Sequence, residues 1–336
     1  MDYRQFASDS ELKQEFLDRF DDLKGYLPET GAPPGAFESF DAGVSVDDAV
    51  SAFDSMQEGT WQPRAGLEAI IERFARPVYM VQRSTFGPPP DDFQDSDQID
   101  KRLQKARAVV EPAIPSVGRI DLRNHPMPWA GTGWMVAPGV VATNRHVAEV
   151  FARQQGDGFA YRKNLHGREP RATLDWRHEY EQPDESRFRV NEILWIEPDE
   201  SFDVALLGIV DEGEEGEAQP AAVDLLSEDE LGADVGRWIG VIGYPAQSPY
   251  NDLEDQQRIF DGIYDVKRLA PGQITSLTDN GLLEHDATTL GGNSGSAVID
   301  LDSGKVAGIH FGGIEGKENY AVQAPRLAAI VRDHAG

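Results

Sequence analysis

Residues 131–151 read GTGWMVAPGVVATNRHVAEVF. Two short apolar runs, Gly133–Val136 and Val140–Thr143, flank a Pro-Gly turn, and His146 follows the second run at the start of a helical turn. Short runs rich in Val and Ile and bounded by Gly, Pro and Asp are strand signals. The pattern recurs at Val117–Leu122, Ile193–Ile196, Val204–Ile209, Trp238–Ile242, Ser296–Ile299 and Val306–Phe311. No helical segments alternate with these runs, so an all-β barrel or sandwich is expected rather than a parallel sheet. A closing helix is expected over Pro325–His334.

Upstream of residue 112 the character changes. Ser10 precedes an acidic first turn, and Leu12, Phe16 and Phe20 recur at every fourth position. That spacing predicts an amphipathic helix over 10–25. Shorter helices are expected at Asp47–Met56 and Gly66–Phe74, a strand at 78–81, and a helix at 97–110 that Pro112 and Pro115 end. GPPPDD at 87–92 is a linker signal. The expected organisation is a mainly helical region over 1–112, with its linker at 85–97, followed by a β-rich unit over 113–336.

Length and charge bound what such a chain does. Its 336 residues suggest two domains, or one with an appendage, at roughly 100–200 residues per domain. Against 31 Lys and Arg stand 59 Asp and Glu, so the formal charge is 31 − 59 = −28. Nucleic acid and anionic membranes need the opposite sign, and neither is an expected partner. The absence of cysteine excludes disulfides, thiolate metal sites and a Cys nucleophile. No apolar run approaches the roughly 18 residues a membrane helix needs. The first dozen residues lack a basic flank and an apolar stretch, so a cytoplasmic location is expected. The 33 Asp, 26 Glu, 23 Arg and 8 Lys fit either a salt-rich habitat or a GC-rich genome. Residues 211–234 hold ten carboxylates and no Lys or Arg, which reads as a solvated loop whose spacing fixes no calcium site. No metal and no cofactor is expected.

Three segments carry chemistry: the block around His146, SFDVALLGI at 201–209 with Asp203, and TTLGGNSGSAVID at 288–300 with Ser294. A hydroxyl is a poor nucleophile at neutral pH. It needs a general base in reach, and that base needs a carboxylate to fix its tautomer and stabilise its cation. His146, Asp203 and Ser294 supply these types in that order. Gly292 and Gly295 let the backbone turn sharply, so that the amides of Gly292 and Ser294 face a developing oxyanion. An α/β-hydrolase is disfavoured, because there the nucleophile precedes the histidine.

TNRHV at 143–147, DVALL at 203–207 and GGNSGSAV at 291–298 resemble the catalytic blocks of trypsin/chymotrypsin-like serine endopeptidases, chiefly their disulfide-poor bacterial branch. The resemblance covers about residues 116–336 and implies two perpendicular six-stranded β-barrels with the triad in the cleft between them, followed by a C-terminal helix. It implies His146 as general base, Asp203 as its orienting carboxylate, Ser294 as nucleophile, and Gly292 with Ser294 as the oxyanion hole. No cysteine stands beside His146, which suits a reducing compartment. Asn293 replaces the aspartate that receives a freshly cut N-terminus in trypsin-type zymogens, so that switch should be absent.

GKVAGIHFGG at 304–313 resembles the pocket-wall strand of glutamyl endopeptidases, where GIHWGG is common. By that resemblance His310 and Thr289, with Gly312 beside them, bind a substrate carboxylate, and cleavage follows Glu, with Asp second. A partly cationic imidazole is the expected partner of that carboxylate, with activity that rises with ionic strength and falls as His310 loses its proton. The bland reading of His310 is a structural residue facing the core. Protein or peptide substrates are the expected partners. The N-terminal region is open to three readings: an inhibitory pro-region, a docking module for a regulatory partner, or an extension that buries barrel surface. A catalytically quiet binding protein, or a latent zymogen, on the same fold is the alternative to an active enzyme.

Overall fold

A computed structural model describes residues 45–60, 76–89, 97–163, 167–198, 202–232, 235–247, 253–314 and 318–335, with isolated positions between 7 and 17. Helix α1, Val46–Glu58, opens on a capping box between Ser45 and Asp48 and ends at Gly59, whose φ of 73° suits glycine. Of the helix expected over 10–25, residues 13, 14, 16 and 17 are helical; the helix expected at 66–74 lies outside the described residues. Strands β1, Tyr79–Gln82, and β2, Thr85–Phe86, form a hairpin. Helix α2, Asp97–Val110, places Ile99, Leu103, Ala106 and Val110 on one buried face.

Two six-stranded antiparallel barrels follow. The first closes in the order β10-β5-β4-β3-β8-β9. Its strands are β3, Val117–Arg123; β4, Trp129–Ala137; β5, Val140–Thr143; β8, Arg171–Asp175; β9, Arg187–Ile196; and β10, Ala205–Ile209. Helix α3, Arg145–Phe151, and the hairpin of β6, Ala152–Gln155, with β7, Gly158–Tyr161, lie between β5 and β8. The second barrel runs β11-β14-β15-β16-β13-β12 and closes through β11 on β12. It is built from β11, Trp238–Gly243; β12, Arg268–Leu277; β13, Leu282–His285; β14, Ala297–Asp300; β15, Val306–Ile314; and β16, Glu318–Gln323. Helix α4, Leu253–Phe260, precedes β12, and α5, Ala324–His334, closes the chain.

The strands read as continuously apolar because both faces are buried. On β4, Met135 points into the first barrel while Trp134 and Val136 enter a second core. Leu207 and Leu206 divide in the same way on β10. That second core lies between the barrels. It takes Ile299, Val306 and Ile309 from the second barrel, Leu327 and Ile330 from α5, and Tyr79, Phe86 and the α2 face from upstream.

Residues before 112 therefore complete the sheet as well as the core. β12 is long: its C-terminal half pairs with β13, and its N-terminal end takes β1, with Tyr79 opposite Leu269 and Met80 opposite Arg268. Arg76, 1 % exposed, reaches Asp286 as an ion pair and lies over the Trp238 ring. Among the described residues no helix is long and apolar enough to cross a membrane.

Candidate active site

β5 runs into Asn144, the N-cap of α3, and His146 is the second residue of that helix. Asn144 Nδ2 donates to the carbonyl of Asp203 at 2.8 Å, which ties the start of β10 to the start of α3. Asp203 then serves His146 twice. Its Oδ1 accepts from the His146 backbone N–H at 3.0 Å, and its Oδ2 from the ring Nδ1. The carboxylate is mostly buried while the imidazole is about half exposed, with side-chain exposures of 15 % and 47 %. Its Nδ1–H thus engaged, the ring carries its free lone pair on Nε2.

Ser294 lies on a turn held from both barrels. Its carbonyl accepts from Thr132 N at 2.9 Å, and Thr132 Oγ1 donates to the Gly292 carbonyl at 2.9 Å. The Gly295 N–H donates to His310 O, and the His310 N–H to Ser296 O, both at 2.9 Å. Gly292 and Gly295 have φ of 87° and 88°, where a side chain is strained. A Cβ on Gly295 would stand 2.0 Å from Thr132 O, and one on Gly292 2.4 Å from Tyr244 O. No described carbonyl or side chain accepts from the amides of Gly292 or Ser294, so both are available to a ligand oxygen. Gly131 brings the halves together. A Cβ there would lie 2.8 Å from Val147 Cγ2 and 3.0 Å from Ser294 O, so the residue after His146 and the candidate nucleophile converge on one glycine.

Asn293 is buried and satisfied locally, donating to Leu290 O and accepting from Ser296 Oγ. Thr289 Oγ1 donates to Asn319 Oδ1 at 2.8 Å, and Asn319 pairs with Gly313 across β15 and β16. Thr289 is thereby tied to the strand that carries His310 and Gly312. A Cβ on Gly312 would meet nothing within 4 Å, so this stretch of β15 borders open space.

His310 itself is 2 % exposed, and its Nδ1 lies 3.2 Å from Nε2 of buried His285. Burial, and then repulsion from the His146 ring in its protonated form, push the His310 pKa down to about 3, against a hydrogen bond to the Tyr320 backbone that favours the charged form. This corrects the expectation of a partly cationic imidazole: His310 is neutral at physiological pH, because an ion there would have lost its water. Gly131, Thr132, Asn144, His285 and Asn319 escape sequence reading. Their roles depend on what packs against them, and only the glycine in GTGW carries a local hint. Among the described residues no group of three or more His, Asp or Glu is arranged to hold a metal ion.

Residues 131–309 match the trypsin-like peptidase domain family, which is more than half of the chain. The chain belongs to that family. It is 33 % identical over 236 residues to a protein of Lysobacter enzymogenes named as a probable serine protease, covering 62 % of this chain and 59 % of that protein. The chain thus spans less than two thirds of that relative's length. A solved inactive mutant form of Rv3671c from M. tuberculosis H37Rv is 20 % identical, with a TM-score of 0.42 over 68 % of this chain and 90 % of that one.

Proposed function

We propose that this protein is a serine endopeptidase in which Ser294 is the nucleophile, His146 the general base and Asp203 the carboxylate that orients it. The observation that carries this reading is the double grip of Asp203 on the backbone and ring of His146. Attack by Ser294 Oγ on a peptide carbonyl passes its proton to His146 Nε2, which then returns it to the leaving amine. Water repeats the cycle on the acyl-enzyme. The free amides of Gly292 and Ser294 receive the oxyanion, each such donor being worth about 3–4 kcal/mol of barrier. A fluorophosphonate probe should label the full-length protein at one site and fail to label Ser294→Ala. Absent labelling of the wild type, together with no peptide cleavage, favours the quiet binding protein or latent zymogen.

Preference for Glu, then Asp, before the cut is the finer part of the proposal. The open space beside Gly312 supports it. The Thr289 hydroxyl donates to Asn319, and the His310 ring faces His285 and the Tyr320 backbone, so both side chains must turn from these partners to meet the substrate carboxylate as neutral donors. A neutral His310 makes the pH prediction differ from that of an imidazolium. The ratio of kcat/KM for Glu over Gln peptides should stay flat from about pH 6 to 9; a fall centred near the ordinary His pKa of about 6.5 overturns the neutral-donor version. Gly312→Val should fold normally and lower kcat/KM for Glu peptides by about 10- to 100-fold, as a filled pocket does. If Lys or Leu peptides outpace Glu peptides on the wild type, the pocket assignment is wrong.

For the N-terminal region, the strand pairing of β1 and the burial of α2 support the structural-extension reading for Tyr79–Phe86 and Asp97–Val110.

A further inference from the structure

The outer face of the first barrel holds a charge arrangement that local physics disfavours. Arg123 on β3 stands directly opposite Arg171 on β8, and Arg189 on β9 stands opposite Thr173, two residues along β8 from Arg171. Directly opposed like charges destabilise a sheet, and diagonal neighbours at roughly 7–8 Å remain within reach of long side chains. The chain has 59 carboxylates to spend on 31 cations, and on the same strands it spends two. Arg119 is paired with Asp121, and Arg187 with Glu185. Arg123, Arg171 and Arg189 are exposed and form no ion pair with any described residue. They line one cleft of about 290 Å³ with Thr173, Val210, Glu212 and Glu214.

One hairpin, β3 with β4, links the cleft to the candidate active site. Trp129 pairs with Asp121 across β3 and β4, so Arg123 lies two residues further along, about 7 Å at the usual rise. The Trp129 ring in turn packs beside Gly292: a Cβ on that glycine would lie 2.3 Å from it. A polypeptide lying across the site and passing Trp129 reaches the arginines within a few residues.

We propose that the Arg123–Arg171–Arg189 cleft is an exosite that holds an acidic segment of the polypeptide substrate flanking the cut. This rests on the endopeptidase reading. Carboxylates are the ligand class because guanidinium forks bind them bidentately, and an occupant with several of them relieves the repulsion among the three arginines. Glu212 and Glu214, from the loop after β10, border the same cleft and weaken its field. The exosite also answers how a protein of charge −28 holds an acidic substrate. Screening leaves only charges within about 8–10 Å decisive at physiological salt, and the cleft itself is lined by three arginines against two glutamates.

The test is anisotropy of a fluorescent hexa-D-glutamate peptide, which resists cleavage, on the full-length Ser294→Ala protein in about 0.15 M salt. Saturable binding is expected, weakened at least about tenfold by R123Q/R171Q/R189Q, tightened by E212Q/E214Q, and unmoved by Gly312→Val. In otherwise wild-type protein, the triple variant should raise KM about tenfold for a peptide carrying the D-glutamate segment beside the cut. It should leave kcat, and the hydrolysis of a short untailed peptide, unchanged. The triple variant should melt no lower than wild type, since it removes a repulsive pair. If it does melt lower, Arg171→Gln alone carries the comparison. No binding by the parent, equal binding by the arginine variant, or an unchanged KM for the tailed peptide overturns the exosite. Loss of the endopeptidase reading would show separately, as absent hydrolysis of the untailed peptide with binding intact.

Discussion

Asp203→Asn should lower kcat by about 10⁴-fold with little change in KM or in melting temperature. The size follows from the two bonds that Asp203 makes. The His146 backbone N–H, at 3.0 Å from Oδ1, can only donate, so an asparagine must turn its carbonyl oxygen toward it. The amide NH₂ is then presented to Nδ1. An N–H facing Nδ1 forces that nitrogen to accept, which moves the ring proton to Nε2 and removes the lone pair that takes the Ser294 proton. The side chain keeps its shape and its partners, so the loss falls on the chemical step. A variant that retained more than about a tenth of wild-type kcat would show that Asp203 does not set the tautomer.

The second large effect is on stability. Lys267 is fully buried just before β12, and its Nζ donates to Trp176 O at 2.8 Å, Ile114 O at 3.1 Å and Glu179 Oε1 at 3.1 Å. Desolvation holds the lysine pKa below its usual value, against the opposing pull of Glu179. Glu179 also accepts from the Ser84 backbone N–H at 2.8 Å, at the turn of the β1–β2 hairpin. One ion pair therefore joins both barrels, the segment before β3 and the upstream hairpin. Lys267→Met leaves Glu179 buried without its counter-charge, which costs about 3–5 kcal/mol, whereas adding Glu179→Gln removes the orphaned charge and should recover most of it. Denaturant midpoints of the two single variants and the double variant measure this directly. A double variant as unstable as Lys267→Met would show that packing volume or the two orphaned carbonyls of Ile114 and Trp176, not the buried charge, set the cost.

Three short blocks with their glycines were legible because their chemistry is local. A turn that needs positive φ at Gly292 and Gly295 leaves its mark within a few residues, and so does the passage of His146 from strand to helix cap. The strands of both barrels were read where apolar runs are uninterrupted. β12 escaped because Pro271 and Gly272 interrupt it, and both normally argue against a central strand. The fold tolerates them at this position: Pro271 pairs with Gly240, and Gly272 allows the Ala287 backbone to approach so closely that a Cβ would lie 2.5 Å from its nitrogen.

The sequence by itself determined the family, the two-barrel expectation and the acidic charge, and it offered His146, Asp203 and Ser294 as the candidate triad. Three matters waited for the tertiary structure. Residues 79–86 join the second sheet because β12 offers an edge that β13 leaves open. His310 is neutral because its ring is buried against His285. Arg123, Arg171 and Arg189, which form no ion pair among the described residues and are far apart in sequence, become neighbours only through strand register. Pattern in a chain reports what depends on adjacent residues. Protonation, edge pairing and charge proximity depend on burial and register, which join residues far apart in sequence.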